Sequence, residues 1–192
     1  FSKTPALSPT GDARPLDADG DGTILGEGLG IVALKRLADA RRDGDRVYAV
    51  LLGVGSSSDG KGGAIYAPRK EGQMEALRSA YRLAGVSPAT VELVEAHGTG
   101  TKVGDATEVS ALAEVYASSG RGGPWCAVGS IKSQIGHTKA AAGAAGLIKA
   151  ALALHHKVLP PTIKVRRPLP QLMPGAGPLY PNVEQRPWMP SE

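Results

Sequence analysis

The sequence is poor in the residues that mark several common classes of protein. Its single cysteine, Cys126, cannot form a disulfide within the chain, and this scarcity fits a reducing compartment, so we expect a cytoplasmic protein. Aromatic residues make up only 4% of the chain, and 22 basic residues are scattered among 18 acidic ones. Nucleic-acid binding is therefore not expected, because it favours clustered positive charge and aromatic side chains that stack on bases.

Long hydrophobic runs are also missing. The longest apolar stretch, residues 140–154, is interrupted by glycines and by Lys149. The first residues lack the basic start and apolar run of a signal peptide. We therefore predict neither a membrane span nor a secretion signal.

What remains is the composition of an α/β protein. The 192 residues are 42% hydrophobic and 21% charged, with 26 glycines, and that length suits one domain or part of a larger one. Strand-like and helix-like segments alternate along the chain, which predicts a parallel sheet with helices on its faces. The predicted strands are a segment from Thr23, then 47–55, 91–96 and 125–130, and the predicted helices are 37–42, 71–84, 105–116 and 138–156. Residues after Val158 are proline-rich and are predicted to be mostly irregular.

Two loops carry the candidate site. The first, HGTGT at 97–101, follows the predicted strand that ends at Ala96, and the second, SIKSQIGHTKAAAG at 130–143, follows the next one. Chemically active groups gather beyond the carboxyl ends of parallel strands. We therefore expect His97 and His137 to face one pocket, with Lys132 beside them.

Two neutral imidazoles in a dry pocket can donate hydrogen bonds to one developing oxyanion. We expect Lys132 to bias the local titration and to anchor an acid such as Glu108 or Asp105. Thr99 and Thr101 have the spacing needed for their hydroxyls to meet amide groups along an extended ligand arm.

Structural roles are the alternatives. A histidine at a strand end is often only hydrogen-bonded, threonines shape turns, and acids at a helix start favour its dipole. A metal site is not expected, because the HxxxH, CxxC and paired-carboxylate spacings that make one specific are missing.

The longer motifs resemble a known family. VEAHGTGTKVGDATE and GSIKSQIGHTKAAAGAAGLIKAALALHHKVLPPTI are similar to the two histidine motifs of β-ketoacyl synthases, the condensing enzymes of fatty acid and polyketide synthesis. FSKTPALSPTGDARPLDADGDGTILGEGLGIVALKRLADA and RVYAVLLGVGSSSDG resemble the same family, so the likeness covers nearly the whole chain. It is strongest to ketosynthase domains of type I polyketide synthases and polyunsaturated fatty acid synthases.

The resemblance implies roles for individual residues. His97 and His137 match the histidines that bind the malonyl thioester oxygen and assist decarboxylation. Lys132 matches the lysine that organises that site. Two further groups match as well: the threonines that bind the phosphopantetheine arm, Thr99 and Thr101, and the acids of the GDxxE-like segment, Asp105 and Glu108.

The resemblance also implies a thiolase-like fold, layered α-β-α-β-α and built from two similar halves. We expect residues 1–46 to end the first half, 47–165 to belong to the second half, and 166–192 to form a proline-rich tail. The family's nucleophilic cysteine is expected upstream of residue 1, so this fragment alone should be inactive, with Cys126 a buried bystander.

Partners and cofactors follow from the same likeness. The expected partners are an acyl carrier protein, acyl and malonyl thioesters, and a second copy in a homodimer. The domain itself should bind no cofactor, because phosphopantetheine belongs to the carrier protein. Two alternatives stay open: a non-condensing homologue that shapes chain length or a dimer surface, and a degradative enzyme of thiolase fold.

Overall fold

The structure, a computed structural model, describes residues 6–60 and 67–189. The helices in these ranges are α1 Leu37–Asp43, α2 Lys70–Ala84, α3 Lys102–Ala117, α4 Lys132–Ile135 and α5 Ala142–His156. The strands are β1 Leu93–Glu95, β2 Cys126–Gly129, β3 Val158–Leu159, β4 Leu179–Pro181 and β5 Arg186–Pro187. Short 3-10 turns cover Pro88–Thr90, Lys139–Ala141 and Pro170–Leu172. No helix among the described residues has the length and apolar character needed to cross a membrane.

A parallel sheet forms the centre of the fold. Its strand order is β1-β2-β4, and Leu93 lies opposite Ala127 while Cys126 lies opposite Leu179. β3 and β5 pair separately in an antiparallel ribbon. Because α3 connects β1 to β2, and α4 and α5 follow β2, the loops after β1 and β2 open at the same edge of the sheet. The predicted parallel sheet is confirmed for these strands.

The predicted helices agree with the structure to within a few residues. α1 and α2 both end at glycines in the left-handed conformation, Gly44 with φ 71° and Gly85 with φ 64°. Glycine takes this conformation without the Cβ penalty of other residues, which makes it a helix terminator that sequence reveals.

The hydrophobic core lies between α3 and the sheet. Every residue of β2 is buried, and Val109, Val115 and Tyr116 of α3 are at most 2% exposed. The Tyr116 hydroxyl hydrogen-bonds the Tyr81 hydroxyl of α2. These contacts make α3 a buried support whose first turns carry two acids of the candidate site.

A buried carboxylate ties the N-terminal loop to the C-terminal segment. Asp17 accepts hydrogen bonds from the backbone N–H groups of Arg166, at 2.6 Å, and Arg167, at 2.8 Å. Burial raises the pKa of this carboxyl, but the N–H donors of Arg167, Asp19 and Arg166 outweigh it and hold the pKa below its ordinary value. The loop that precedes Thr23 is thereby held against the C-terminal segment.

Three sequence predictions differ from the structure. No strand forms from Thr23 or over 47–55, and apolar side chains in both segments are exposed, Leu29 to 88% and Val54 to 66%. A strand needs a neighbour for its backbone groups, and no described segment pairs with these residues beyond the isolated bridges of Thr23 to Leu7 and Leu25 to His137. The tail predicted as irregular supplies β4, whose partner on the sheet is distant in sequence.

Candidate active site

The two histidines meet at the carboxyl edge of the sheet. His97 follows β1 and His137 follows α4, and their ring centroids lie 5.2 Å apart with the ring planes at 81°. The backbone N–H of His137 donates to the carbonyl of Ile24, and its carbonyl accepts from Gly26, so the N-terminal segment fixes the second loop. Sequence reasoning expected both rings in one pocket, and the structure brings them together.

A backbone hydrogen bond defines the tautomer of His137. The N–H of Lys139 donates to Nδ1 of His137 over 3.1 Å, so the neutral ring carries its proton on Nε2. Burial, then the charges of Lys132, His97 and Lys139, lower the pKa of His137 below its ordinary value. This ring is therefore a neutral donor near pH 7.

His97 is held by its backbone rather than by its ring. Its N–H donates to Oε1 of Glu108 over 2.6 Å, and its carbonyl accepts from Nζ of Lys132 over 2.5 Å. The protein atoms packed around the imidazole lower its pKa, and the charge of Lys132 lowers it further. Both histidines therefore favour the uncharged form.

Two carboxylates on α3 shape the HGTGT loop. Glu108 accepts the N–H groups of His97 and Gly98, the latter over 2.8 Å. Asp105 accepts the N–H groups of Thr99, at 2.9 Å, and Gly100, at 3.1 Å. Burial raises the pKa of Glu108 and raises that of Asp105 to about 6. Each acid thus holds successive backbone donors of a loop that lacks regular structure.

Lys132 is 3% exposed, and its hydrogen bond differs from the expected one. We expected it to anchor Asp105 or Glu108, but its Nζ donates to the His97 carbonyl, and the carboxylate oxygens of both acids accept backbone N–H groups instead. Burial lowers the pKa of Lys132, while the charges of Glu95, Glu108 and Asp105 oppose that shift. The acids therefore act on this ammonium through their field rather than through direct contact.

The two threonine hydroxyls lie side by side in the loop. Oγ1 of Thr99 and Oγ1 of Thr101 are 2.9 Å apart. Thr101 occupies the N-cap position of α3, but its side chain makes no capping hydrogen bond. Gly98 and Gly100 have φ values of 41° and 82°, which turn the chain so that both hydroxyls lie near each other.

Sequence reasoning missed three polar residues of the site. The Ser130 hydroxyl donates to the carbonyl of Gly98 over 2.9 Å, which ties the two loops together. Glu95 pairs with Lys149 of α5, Nζ to Oε2, over 2.6 Å. The signal for this pair was present, since each charge stands within a largely apolar segment.

Cys126 lies in the middle of the core. It is fully buried in β2, and burial raises the pKa of its thiol to about 12. A reactive thiol needs an accessible, electropositive setting that favours the thiolate, and this position offers the opposite. The described ranges contain no cluster of three or more His, Cys, Asp or Glu side chains with the geometry of a metal site.

Comparison with known proteins decides the family. Residues 48–166 match the family model described as "Beta-ketoacyl synthase, C-terminal domain". The chain belongs to the β-ketoacyl synthase family. Residues 1–40 match the family model described as "Beta-ketoacyl synthase, N-terminal domain".

Curated relatives are parts of large synthases. The chain is 52% identical over 196 residues to one protein of the polyunsaturated fatty acid synthase of a Thraustochytrium species, covering 99% of this chain and 7% of that protein. It is 51% identical to one protein of the phenolphthiocerol/phthiocerol polyketide synthase of Mycobacterium tuberculosis, covering 84% of this chain and 9% of the relative. The chain thus spans a small part of each relative's length.

Solved structures share the fold. The ketosynthase from module 6 of the bacillaene synthase of Bacillus subtilis matches with a TM-score of 0.94 at 41% identity, over 98% of this chain and 34% of that one. The ketosynthase from module 1 of the Bacillus amyloliquefaciens bacillaene synthase matches with a TM-score of 0.93 at 38% identity, over 100% of this chain and 36% of that one. The fold is therefore the thiolase-like fold of ketosynthase domains, and the expectation from the sequence is confirmed.

Proposed function

We propose that this chain supplies the decarboxylation half of a condensing site, in which a malonyl-type extender loses carbon dioxide and attacks an acyl thioester. The observation that carries the proposal is the pair of imidazoles, His97 and His137, with ring centroids 5.2 Å apart, and burial lowers the pKa of both rings. Two such donors at one sheet edge suit a single oxygen that gains negative charge.

The chemistry requires stabilisation of one oxyanion. When the bond between the malonyl α-carbon and its carboxylate breaks, carbon dioxide leaves and the electron pair moves into an enolate of the thioester. The Nε2–H of His137, fixed by the Lys139 N–H on Nδ1, donates to that enolate oxygen together with His97. The α-carbon then attacks the acyl thioester carbonyl, forming the carbon–carbon bond and expelling a thiolate.

Neutral imidazoles suit this step better than charged ones. A protonated His137 would lose the acceptor lone pair that the Lys139 N–H uses, and with it the fixed ring orientation. The nearby ammonium of Lys132 favours the neutral form of both rings and adds positive potential near the oxyanion. In this proposal Lys132 organises the site without giving up its proton.

The HGTGT loop is proposed to hold the phosphopantetheine arm of an acyl carrier protein. The adjacent hydroxyls of Thr99 and Thr101, 2.9 Å apart, offer both a donor and an acceptor for amides of an extended arm. Asp105 and Glu108 support that surface by fixing the loop's backbone. Phosphopantetheine is carried by the partner in this proposal, and the domain holds no cofactor of its own.

The acyl group is proposed to be carried by a cysteine outside this chain. Cys126, the only cysteine in the sequence, is fully buried and its pKa is raised to about 12. The chain alone is therefore proposed to be inactive in condensation. We assign residues 1–46 to the first half of a homodimeric, cytoplasmic ketosynthase, 47–165 to the second half and 166–192 to the tail.

The relatives favour condensation over the degradative alternative. The curated relatives are described as parts of polyketide or polyunsaturated fatty acid synthases, and the solved neighbours as ketosynthases. A non-condensing homologue would differ at the acyl-carrying residue, which is sought upstream of Phe1.

Substitution of each histidine tests the proposal. In a complete ketosynthase domain that contains this chain, H97A and H137A should each abolish decarboxylation of a malonyl thioester, because one donor to the enolate oxygen is lost. Acylation of the nucleophile should partly survive, because that step does not form the enolate. The assay is release of labelled carbon dioxide, with acylation followed by mass spectrometry. Decarboxylation at the parental rate in either variant would refute the assignment.

A further inference from the structure

A buried ion pair lies behind the two histidine loops. Nζ of Lys149 contacts Oε2 of Glu95 over 2.6 Å, and the two side chains are 8% and 11% exposed. Oε1 of the same carboxylate accepts the backbone N–H of Ile131 over 2.6 Å. One carboxylate therefore joins the end of β1, the turn after β2 and the middle of α5.

The segments that the Glu95 carboxylate connects lie next to residues of the candidate site. Glu95 lies two residues before His97, and Ile131 directly precedes Lys132. We propose that the pair of Glu95 and Lys149 is a positioning device, which sets the HGTGT loop against the turn that carries Lys132 and leads to His137. This proposal rests on the function proposed above.

The local packing leaves the carboxylate little freedom. A Cβ at Gly146 of α5 would lie 3.1 Å from Cγ of Glu95, and a Cβ at Gly129 would lie 3.6 Å from Nζ of Lys149. These glycines let the helix and the strand approach the pair closely. Because the carboxylate is confined in this way, both of its oxygens have fixed positions. The Ile131 N–H can therefore donate to Oε1 in only one orientation.

The two histidine loops are also connected by direct hydrogen bonds. Lys132 donates to the His97 carbonyl over 2.5 Å, and Ser130 donates to the Gly98 carbonyl over 2.9 Å. These two hydrogen bonds form the first attachment between the loops. The hydrogen bond from the Ile131 N–H to Glu95 forms a second attachment between the two loops. With both attachments present, the second loop cannot pivot about its contact with the first, and the imidazoles keep their separation.

The pair also contributes charge to the site. Burial lowers the pKa of Lys132, the negative charges of Glu95, Glu108 and Asp105 oppose that shift, and the positive charge of Lys149 adds to it. The fields of Glu95 and Lys149 at Lys132 therefore oppose each other. Glu95 has the larger effect, so its electrostatic role has to be separated from the geometric one by experiment.

Two double variants separate positioning from stability. E95Q/K149M removes both charges but keeps an oxygen that accepts the Ile131 N–H, whereas E95M/K149M removes the charges and the acceptor. Neither leaves a lone buried charge, so both should fold. The matched control is K70M, which breaks the 2.6 Å ion pair of Lys70 with Glu114 on the exposed face of α2 and α3.

The variants are compared in a complete ketosynthase domain that contains this chain. E95M/K149M should lower the single-turnover rate of malonyl decarboxylation about tenfold or more, since small displacements of catalytic groups are costly. E95Q/K149M should lose less, and K70M should match the parent. Acylation of the nucleophile and KM for the malonyl thioester should stay at parental values in all three. Equal losses in both half-reactions, in step with the unfolding midpoint, would reduce the pair to a structural role and overturn the proposal.

A crystal structure of E95M/K149M gives a second result that is independent of activity. The proposal expects the separation of the two ring centroids to depart from 5.2 Å, while the parent keeps it. If the parent does not decarboxylate malonyl thioesters, the proposed function fails, but ring movement in the variant still decides the positioning role. Unchanged rings would overturn it.

Discussion

Removal of the Asp105 carboxylate should expose how the HGTGT loop is stabilised. Asp105 is 3% exposed and accepts the N–H groups of Leu16, Thr99 and Gly100 at 2.9 to 3.1 Å. In D105A all three donors lose their acceptor inside the protein. Each orphaned buried donor costs about 1–3 kcal/mol, or about 3–9 kcal/mol together.

The cost of keeping Asp105 ionised in the folded state opposes this loss of stability. Burial raises the pKa of Asp105 from 3.8 to about 6, so the ionised group itself costs about 3 kcal/mol in the folded state. Removal of the carboxylate recovers up to that amount. Taking the middle of that range, about 6 kcal/mol, less the 3 kcal/mol recovered, we expect D105A to lower the free energy of unfolding by about 3 kcal/mol above pH 6. D105N, which keeps one acceptor oxygen, should lose roughly half as much.

The dependence on pH gives a second test of the same group. Because its pKa is raised, the folded state binds a proton between pH 6 and 3.8 that the unfolded chain does not bind. The part of the stability that depends on this proton is therefore fully present below pH 3.8 and lost as the pH rises through 6, above which the accepted hydrogen bonds remain. The difference between parent and D105A should widen as the pH falls across this window.

Urea unfolding of a complete ketosynthase domain that contains this chain measures these differences. The control is D39A, because Asp39 makes 2.6 and 2.9 Å ion pairs with two largely exposed arginines and should contribute about 1 kcal/mol or less. A loss in D105A no greater than in D39A would refute the reasoning. So would a difference that narrows toward low pH.

Three further outcomes are expected. Because the pKa values of His97 and His137 lie below their ordinary value of 6.5, the acid limb of malonyl decarboxylation should have its midpoint below pH 6.5, and a midpoint above that value in a pH–rate profile would contradict the neutral pair. G98A should cost about 1–3 kcal/mol in urea unfolding, since φ is +41° and the new Cβ would lie 2.7 Å from a side-chain carbon of the facing loop; a neutral effect would count against that geometry. The Ser8 hydroxyl, followed by other donors, lowers the pKa of Asp21 from 3.8 to about 2, so its stabilisation is present above pH 3.8 and lost toward pH 2. After discounting for solvent screening, D21N should remove about 1 kcal/mol of stability at neutral pH and much less at pH 2, as followed by thermal unfolding.

Sequence patterns correctly predicted the helices and strands whose determinants lie within a few residues of one another. The spacing of apolar residues and a following glycine located α2, because both the buried face and the terminator lie within a few residues. The same reasoning failed for 47–55, where apolar character was correctly seen but the pairing partner that defines a strand is not among the described residues. β4 was missed for the converse reason, since a short segment near Pro181 becomes a strand only beside β2.

The identity of the candidate site residues could be predicted from the sequence, whereas their hydrogen-bond partners could not. Motif and strand order together indicated His97 and His137, and the rings do meet. The partner of Lys132 was expected to be a carboxylate and is a carbonyl, because competition among donors for Asp105 and Glu108 depends on where every loop amide points.

The amino-acid sequence alone determined the family likeness, the parallel order of the central strands and the identity of the two histidines, because motif spacing and hydrophobic period are properties of the chain. Only the tertiary structure decided which donor meets which acceptor. It joined Glu95 to Lys149, 54 residues apart, and to the amide of Ile131, 36 residues away. Such bonds depend on distances of a few tenths of an ångström that are set when β1, β2 and α5 pack together.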